Sequence, residues 1–353
     1  MKVLTVVGAR PQFIKAAAVS RAFQEQEGIE EVIVHTGQHF DANMSDVFFE
    51  ELKIPLPHYN LAINSLGHGA MTGRMLEGIE EIILKEKPDW VLVYGDTNST
   101  IAGALAAKKL HVKVAHVEAG LRSFNIKMPE EVNRVLTDRI SNVVFCPTNE
   151  AVSNLANEGF ENLPVHIVKN GDVMQDAALF YVNLAKKPTF KLPTDYVLMT
   201  MHRAENTDDL DRLKSIIQSI NEINQHTAVV WLIHPRTKKI IERENVAVDF
   251  KVVDPVGYLE MIYLLKNCSL VMTDSGGLQK EAFFFEKNCV TLRDETEWVE
   301  LVENDYNILV GANKEAILSA FHEMSHKKND FSLDLYGKGT ASFIIAKTLL
   351  NEC

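Results

Sequence analysis

The chain reads as an α/β protein made of two doubly wound units in tandem, each a mainly parallel sheet with helices on both faces. Three observations carry that expectation. Short β-branched runs alternate with longer helical patterns, the mark of βαβ units. The alternation starts twice, at residue 3 and again near residue 196. The 353 residues, 46% hydrophobic and 24% charged, are enough for two ordinary cores.

The first series places strands at residues 3–7, 31–35, 90–94, 114–117 and 143–146, with helical patterns at 14–24, 70–85 and 100–109 between them. The second places strands at 196–200, 229–233, 251–253, 270–273 and 289–292, and helices near 210–225, 258–266 and 278–285. A last amphipathic pattern, 340–351, follows Tyr336-Gly337-Lys338-Gly339 and is suited to pack back across the junction. That junction falls near 168–171, or near 186–193 if one helix bridges the two units. The first choice makes residues 1–168 plus the returning 337–353 one domain, and 169–336 the other. There is no internal repeat and no low-complexity segment.

The formal net charge of −12, from 36 basic and 48 acidic residues, argues against non-specific nucleic-acid binding. An anionic ligand therefore needs a local cluster of cations. Cys146, Cys268, Cys289 and Cys353 show neither CxxC nor Cys/His metal spacing. Three of them sit in apolar surroundings, as buried thiols of a reducing cytoplasm do. No apolar run has the length of a signal peptide or of a membrane span. A cytoplasmic protein without a membrane partner is expected.

The most telling stretch is Thr273-Asp274-Ser275-Gly276-Gly277-Leu278-Gln279-Lys280-Glu281. It reads as strand, tight turn and helix N-terminus. Ser275 is positioned to cap the helix, and the two glycines let a ligand approach the backbone. The free N–H groups and the helix dipole then suit a phosphate. Glu281, one to two turns on, suits the hydroxyls of a ribose. A Ser-Gly-Gly turn that only connects a strand to a helix reads the same way.

Other polar residues gather in loops after strands, where open α/β sheets bind ligands. Gly8-Ala9-Arg10-Pro11-Gln12-Phe13-Ile14-Lys15 is not GxGxxG, so it gives no support to a dinucleotide cofactor. It does place Arg10 and Lys15 where both can meet a diphosphate. Asp96, Glu118 and Glu130 follow later strands. If their loops converge, the three carboxylates perturb one another and supply the unequal acid and base that proton transfer needs. Each positioned acid or base contributes about 10²–10⁴-fold in rate. The plain alternatives are that Asp96 caps the next helix and that Glu131 pairs with Arg134. In the second half, His202 and His234 each follow a strand and can face an anion. Arg293-Asp294-Glu295-Thr296-Glu297 can face the same ligand or cap a helix.

On these residues the sequence closely resembles the non-hydrolysing UDP-N-acetylglucosamine 2-epimerase family. The match runs in order through Gly8-Ala9-Arg10-Pro11, Gln38-His39, Gly95-Asp96-Thr97, His116-Val117-Glu118-Ala119-Gly120-Leu121-Arg122, Pro129-Glu130-Glu131 and Asn133-Arg134. It continues through His202-Arg203, Thr273-Asp274-Ser275-Gly276-Gly277 and Glu281 to Tyr336-Gly337. The resemblance implies the glycosyltransferase-B architecture of two Rossmann-like domains, a homodimer, and a UDP-sugar held between the domains. It implies neither a nicotinamide cofactor nor a metal. By position, Arg10, His202, Ser275, Gly276 and Gly277 would hold the diphosphate, Glu281 the ribose, and Tyr258 and Leu259 the uracil. Asp96, Glu118 and Glu130 would be the catalytic carboxylates. Lys15 and Arg134 would support charge and position, and His202 would assist the leaving group. The implied chemistry inverts C2 by anti elimination of UDP to a glycal and re-addition, in the synthesis of surface-polysaccharide precursors.

The chain departs from the pattern in places. Phe40-Asp41-Ala42-Asn43-Met44 follows Gln38-His39, where enzymes activated by a second UDP-N-acetylglucosamine carry Arg-Glu-Met. Glu297 is followed by Trp298-Val299 rather than Arg-Pro, and His234 by Pro235-Arg236. These changes resemble the branch acting on UDP-2,3-diacetamido-2,3-dideoxy-glucuronic acid, whose extra carboxylate would suit Arg236 or Arg293. Plain UDP-N-acetylglucosamine stays the alternative substrate. A glycosyltransferase of the same architecture, a hydrolysing epimerase releasing N-acetylmannosamine, and an idle UDP-sugar sensor are the competing functions.

Overall fold

Runs of Val, Ile and Leu without polar alternation pair into two all-parallel sheets, each buried on both faces. The computed structural model describes residues 1–38 and 49–352. It divides into two units, residues 1–177 with 334–353, and residues 178–333.

The first unit holds seven strands: β1 (Lys2–Val7), β2 (Glu30–His35), β3 (Tyr59–Asn60), β4 (Trp90–Tyr94), β5 (Lys113–Val117), β6 (Val143–Cys146) and β7 (His166–Lys169). Their order is β3-β2-β1-β4-β5-β6-β7. Leu4, Val6, Val91 and Val93 pack on Met75 and Ile79 of the His68–Glu86 helix and on the alanines of the Asn98–Lys109 helix. That second helix must come close. A Cβ on Gly103 would lie 3.1 Å from a Val93 methyl and 3.2 Å from a Val6 methyl.

The second unit holds β8 (Val197–Met201), β9 (Val229–Ile233), β10 (Lys251–Val253), β11 (Leu270–Thr273), β12 (Cys289–Thr291) and β13 (Asn307–Leu309). They lie in the order β10-β9-β8-β11-β12-β13. Val197, Met199 and Trp231 face the Leu210–Asn224 and Lys314–His326 helices through Leu213, Ile216 and Ile317. On the other face, Leu198, Val230 and Leu232 meet Leu264 and Leu265 of the Tyr258–Asn267 helix and Ala282 of the Gly276–Phe284 helix.

The central strands lie where the sequence pattern puts them. The edge strands β3, β7 and β13 are additions. They are short and half polar, so pairing with a neighbour, more than their own composition, makes them strands. Among the described residues no helix is long and apolar enough to cross a membrane.

The chain's last segment belongs to the first unit. Asp172 donates its main-chain N–H to the Tyr336 carbonyl at 2.8 Å. The Asp176 carboxylate accepts from the N–H groups of Ala341 (3.2 Å) and Ser342 (2.6 Å), at the start of the terminal helix Ala341–Asn351. That helix packs on the Arg10–Gln24 helix. Gly171 makes the docking possible, because its φ is +88° and a Cβ there would run into the Tyr336 carbonyl oxygen. Gly171→Ala should therefore cost about 2–4 kcal/mol, combining backbone strain with a steric clash. Chemical denaturation reads this, and a wild-type midpoint would refute the docking role of Gly171.

Candidate active site

In each sheet the strand order reverses once, between β1 and β4 in the first unit and between β8 and β11 in the second. Loops diverge at such a point and leave a crevice at the carboxyl ends of the strands. In the first unit the Gln12 carboxamide ties the two loops together. Its Oε1 accepts from Gly8 N (2.8 Å) and Ala9 N (2.9 Å), and its Nε2 donates to the Tyr94 carbonyl (2.7 Å) and Thr97 Oγ1 (3.0 Å). Thr97, not Asp96, caps the Asn98–Lys109 helix by accepting from Thr100 N. Asp96 is thereby left for other work.

Asp96 forms an ion pair with Arg134 of the Pro129–Ile140 helix, and Asn133 Nδ2 donates to the Asp96 carbonyl at 3.0 Å. Lys15 is buried and forms an ion pair with Glu118, so it turns inward to a carboxylate although the sequence suits it to a diphosphate. Gly95, at φ +61°, keeps the corner open: a Cβ there would lie 3.3 Å from Glu118 Oε2 and 3.7 Å from Lys15 Nζ. The Asp96 side chain keeps 32% of its surface open. It nevertheless lies deep enough that burial, with Glu118 repulsion added, pushes its carboxyl above the ordinary Asp value. Arg134 and Lys15 oppose the rise without cancelling it. Lys15, Asp96, Glu118 and Arg134 are thus one electrostatic cluster.

Glu130 lies outside that cluster. It is exposed on the first turn of its helix, one turn before Arg134, and its carboxylate takes no hydrogen bond or ion pair among the described residues. Its neighbour Glu131 is buried instead. It accepts from Ser123 N (3.0 Å), Ser123 Oγ (2.9 Å) and Phe124 N (2.9 Å), and lies 3.4 Å from Arg134 Nη1. Arg10 is exposed at the start of the Arg10–Gln24 helix. Gln38 accepts from Ser99 Oγ at 2.8 Å, whereas His39 and residues 40–44 lie outside the described residues.

In the second unit Asp274 does what Gln12 does in the first. It is fully buried, and its carboxylate accepts from His202 N (3.0 Å) and Arg203 N (2.9 Å), while its carbonyl accepts from Arg203 Nε (2.9 Å). His202, after β8, is exposed, with Nδ1 3.4 Å from Asp274 Oδ1. Ser275 occupies the N-cap of the Gly276–Phe284 helix, but its side chain makes no cap hydrogen bond. Its own N–H donates back to Thr273 Oγ1 at 2.9 Å.

The Glu297 carboxylate lies against this helix start, so a Cβ on Gly276 would strike it. Arg293 Nη1 donates to Glu297 Oε2 at 2.8 Å. Burial pushes the Glu297 carboxyl up, but Arg293 and Arg203 outweigh it and hold it below the usual range. Glu281 is buried further along the helix. His234 caps the Pro235–Arg243 helix by accepting from Arg236 N at 3.2 Å, and its ring centre lies 6.1 Å from that of His202. Burial, then His202 and Arg236, push His234 below its ordinary value. Tyr258 and Leu259 open the Tyr258–Asn267 helix. Leu259 is buried, and Tyr258 meets Tyr181 edge-on with ring centres 5.7 Å apart.

The structure therefore gathers Lys15, Asp96, Glu118 and Arg134 in one unit, and His202, His234, Ser275, Gly276 and Arg293 about the switch point and neighbouring loops of the other. Among the described residues no three His, Cys, Asp or Glu side chains gather as a metal site. Sequence reasoning gave Gln12, Asn133 and Asp274 no role. Gln12 alone carries a recognisable signal, a Gln at the third position of a helix whose amide can reach back over the N-terminus.

A family model described as UDP-N-acetylglucosamine 2-epimerase matches residues 21–350. Over 351 residues the chain is 59% identical to the UDP-2,3-diacetamido-2,3-dideoxy-D-glucuronate 2-epimerase of Pseudomonas aeruginosa, with 99% of each chain covered. Two crystal structures are similar along the whole chain. One is the UDP-GlcNAc 2-epimerase of Methanocaldococcus jannaschii in complex with UDP-GlcNAc and UDP (46% identity, TM-score 0.89, 99% of this chain and 100% of that one). The other is that of Neisseria meningitidis bound to UDP-GlcNAc (31% identity, TM-score 0.87, 99% and 100%). The architecture is glycosyltransferase-B-like.

The cluster predicts its own response to charge. Arg134→Met removes the strongest influence lowering Asp96, so the Asp96 carboxyl should titrate at a higher pH than in the wild type. Carboxyl ¹³C shifts followed through a pH titration read it, and an unchanged or lower midpoint would contradict the pairing.

Proposed function

The chain belongs to the UDP-N-acetylglucosamine 2-epimerase family and is an isomerase that inverts C2 of a UDP-sugar, and we propose that its substrate is UDP-2,3-diacetamido-2,3-dideoxy-D-glucuronate. The observation that supports this choice is the identity of 59% over 99% of both chains to the Pseudomonas aeruginosa enzyme of that name, against 46% to the Methanocaldococcus jannaschii UDP-N-acetylglucosamine enzyme. A uronate carboxylate also wants a cation. Arg236 follows β9 and Arg293 follows β12.

We assign the diphosphate to Arg10, His202, Ser275, Gly276 and Gly277, the ribose to Glu281, the uracil to Tyr258 and Leu259, and proton transfer to Asp96 and Glu118. The C2 proton has no carbonyl beside it and becomes acidic only as the C1–O bond breaks. The leaving UDP takes that bond's electron pair, and donors aimed at its phosphates lower the cost of the developing charge. One carboxylate takes the C2 proton as the C1–C2 double bond forms. UDP then attacks C1 again while the second carboxylate delivers a proton to the opposite face of C2. Asp96, raised by burial, suits the protonated member, and Glu118, paired with Lys15, suits the ionised one. Glu130 joins them only if substrate draws on the face of the helix it shares with Arg134.

Purified protein incubated in deuterated water with each candidate UDP-sugar should place deuterium at C2, and turn over the diacetamido uronate faster. NMR reads both. A retained C2 proton with sugar transfer to an acceptor would favour a glycosyltransferase instead. Asp96→Asn and Glu118→Gln should each lower kcat by at least about 10²-fold while leaving UDP affinity nearly intact. Calorimetry with UDP separates this from lost folding.

A further inference from the structure

The Pro129–Ile140 helix has a second polar contact that the reaction as described leaves unused. One turn beyond Arg134 it carries Asp138, which is fully buried. Asp138 Oδ1 lies 2.7 Å from His116 Nδ1, and its Oδ2 accepts from Gly120 N (3.1 Å) and Arg122 Nη1 (2.7 Å). The other ring nitrogen of His116, Nε2, lies 2.7 Å from the carbonyl oxygen of Gly95. Asn154 Nδ2 holds the Gly120 carbonyl from the opposite side, at 3.1 Å.

These contacts bracket the two carboxylates. Glu118 sits midway between His116 and Gly120, with φ +71°, a left-handed conformation that a non-glycine residue keeps only when its surroundings impose it. Gly95 immediately precedes Asp96, which Asn133 and Arg134 hold from the same helix. We propose that Asp138 and His116 are positioning residues: they fix the left-handed turn at Glu118 and the Gly95 carbonyl, and so set the spacing of Glu118 and Asp96. This rests on the reading of those two carboxylates as the proton-transfer groups.

The chemistry of the contacts supports a clamp. A carbonyl oxygen only accepts. Burial pushes the Asp138 carboxyl up, but His116 and Arg122 outweigh it and hold it below the usual range, so it too accepts. The His116 ring spans the two acceptors, one nitrogen to the anchor of each carboxylate-bearing loop. Buried ion pairs are weak devices for stability alone. Here the paired side chains also hold two backbone atoms, the Gly95 carbonyl next to Asp96 and the Gly120 N–H two residues beyond Glu118.

Two substitutions at one position test it. In His116→Asn the amide falls near the place of Nδ1 and keeps Asp138 but loses Gly95. In His116→Gln it falls near Nε2 and keeps Gly95. Displacing a reacting group by ~1 Å costs about 10²-fold, so kcat per folded molecule should fall by about that in His116→Asn, with KM nearly unchanged and with His116→Gln within about tenfold of wild type. Thermal melting and UDP binding count the folded molecules. Wild-type kcat in His116→Asn, or equal losses in both variants that follow melting temperature, would overturn the clamp. Should His116→Asn fail to fold, Asn154→Ala decides: about a tenfold fall in kcat at constant KM is expected, and an unchanged kcat overturns the proposal. A wild type that epimerises without taking deuterium at C2 would overturn the underlying roles of Asp96 and Glu118 instead.

Discussion

At a switch point, neighbouring parallel strands send their connections to opposite faces of the sheet. The backbone groups at their ends lose the ladder and must find partners elsewhere. Each unit meets this constraint with one buried polar side chain. Gln12 joins the start of its helix to the Tyr94 carbonyl, and Asp274 joins the His202–Arg203 backbone to the end of β11. A buried N–H left unpaired costs about 1–3 kcal/mol, so these side chains close the loops as well as satisfying them. Asp96, beside one tie, and His202 and Ser275, beside the other, take their places from this.

Charge is managed locally, against the sign of the whole. The chain carries −12 overall, yet Lys15, Arg134, Arg203 and Arg293 each lie near a carboxylate. In the first unit the cations restrain a pair of acids without cancelling the rise at Asp96. In the second, Arg293 keeps Glu297 ionised against the start of the Gly276–Phe284 helix. The two arrangements suit different tasks. A carboxyl raised by burial can carry a proton. A helix start with Arg203 bonded to the Asp274 carbonyl and Arg293 to the adjacent Glu297 suits an anion.

Backbone geometry reinforces the same corner. Gly95 and Glu118 both have positive φ, and only the first is a glycine. A Cβ at Gly95 would crowd Glu118 and Lys15, which explains the glycine. At Glu118 a glycine would lose the carboxylate that pairs with Lys15. The neighbouring hydrogen bonds of Asp138, His116 and Asn154 hold it in a conformation that its own residue type disfavours.

The sequence by itself determined the fold class and most central strands, because continuous apolar runs between helical patterns are satisfied only by a parallel sheet covered on both sides. It also marked the strand-end loops and, through their ordered motifs, the family. It did not determine which polar residues meet. The sequence offers Asp96 as the cap of the next helix, and the folded loop gives that task to Thr97. Glu130 and Glu131 are adjacent and alike, yet helix geometry points one outward and buries the other under the 121–125 loop. Lys15 reads as a partner for a diphosphate until the fold places Glu118 beside it. The edge strands and the ties at Gln12, Asp138 and Asp274 were likewise decided by tertiary structure, since each depends on partners 16 to 88 residues away in sequence. No local pattern encodes such a distance; only packing brings the partners together.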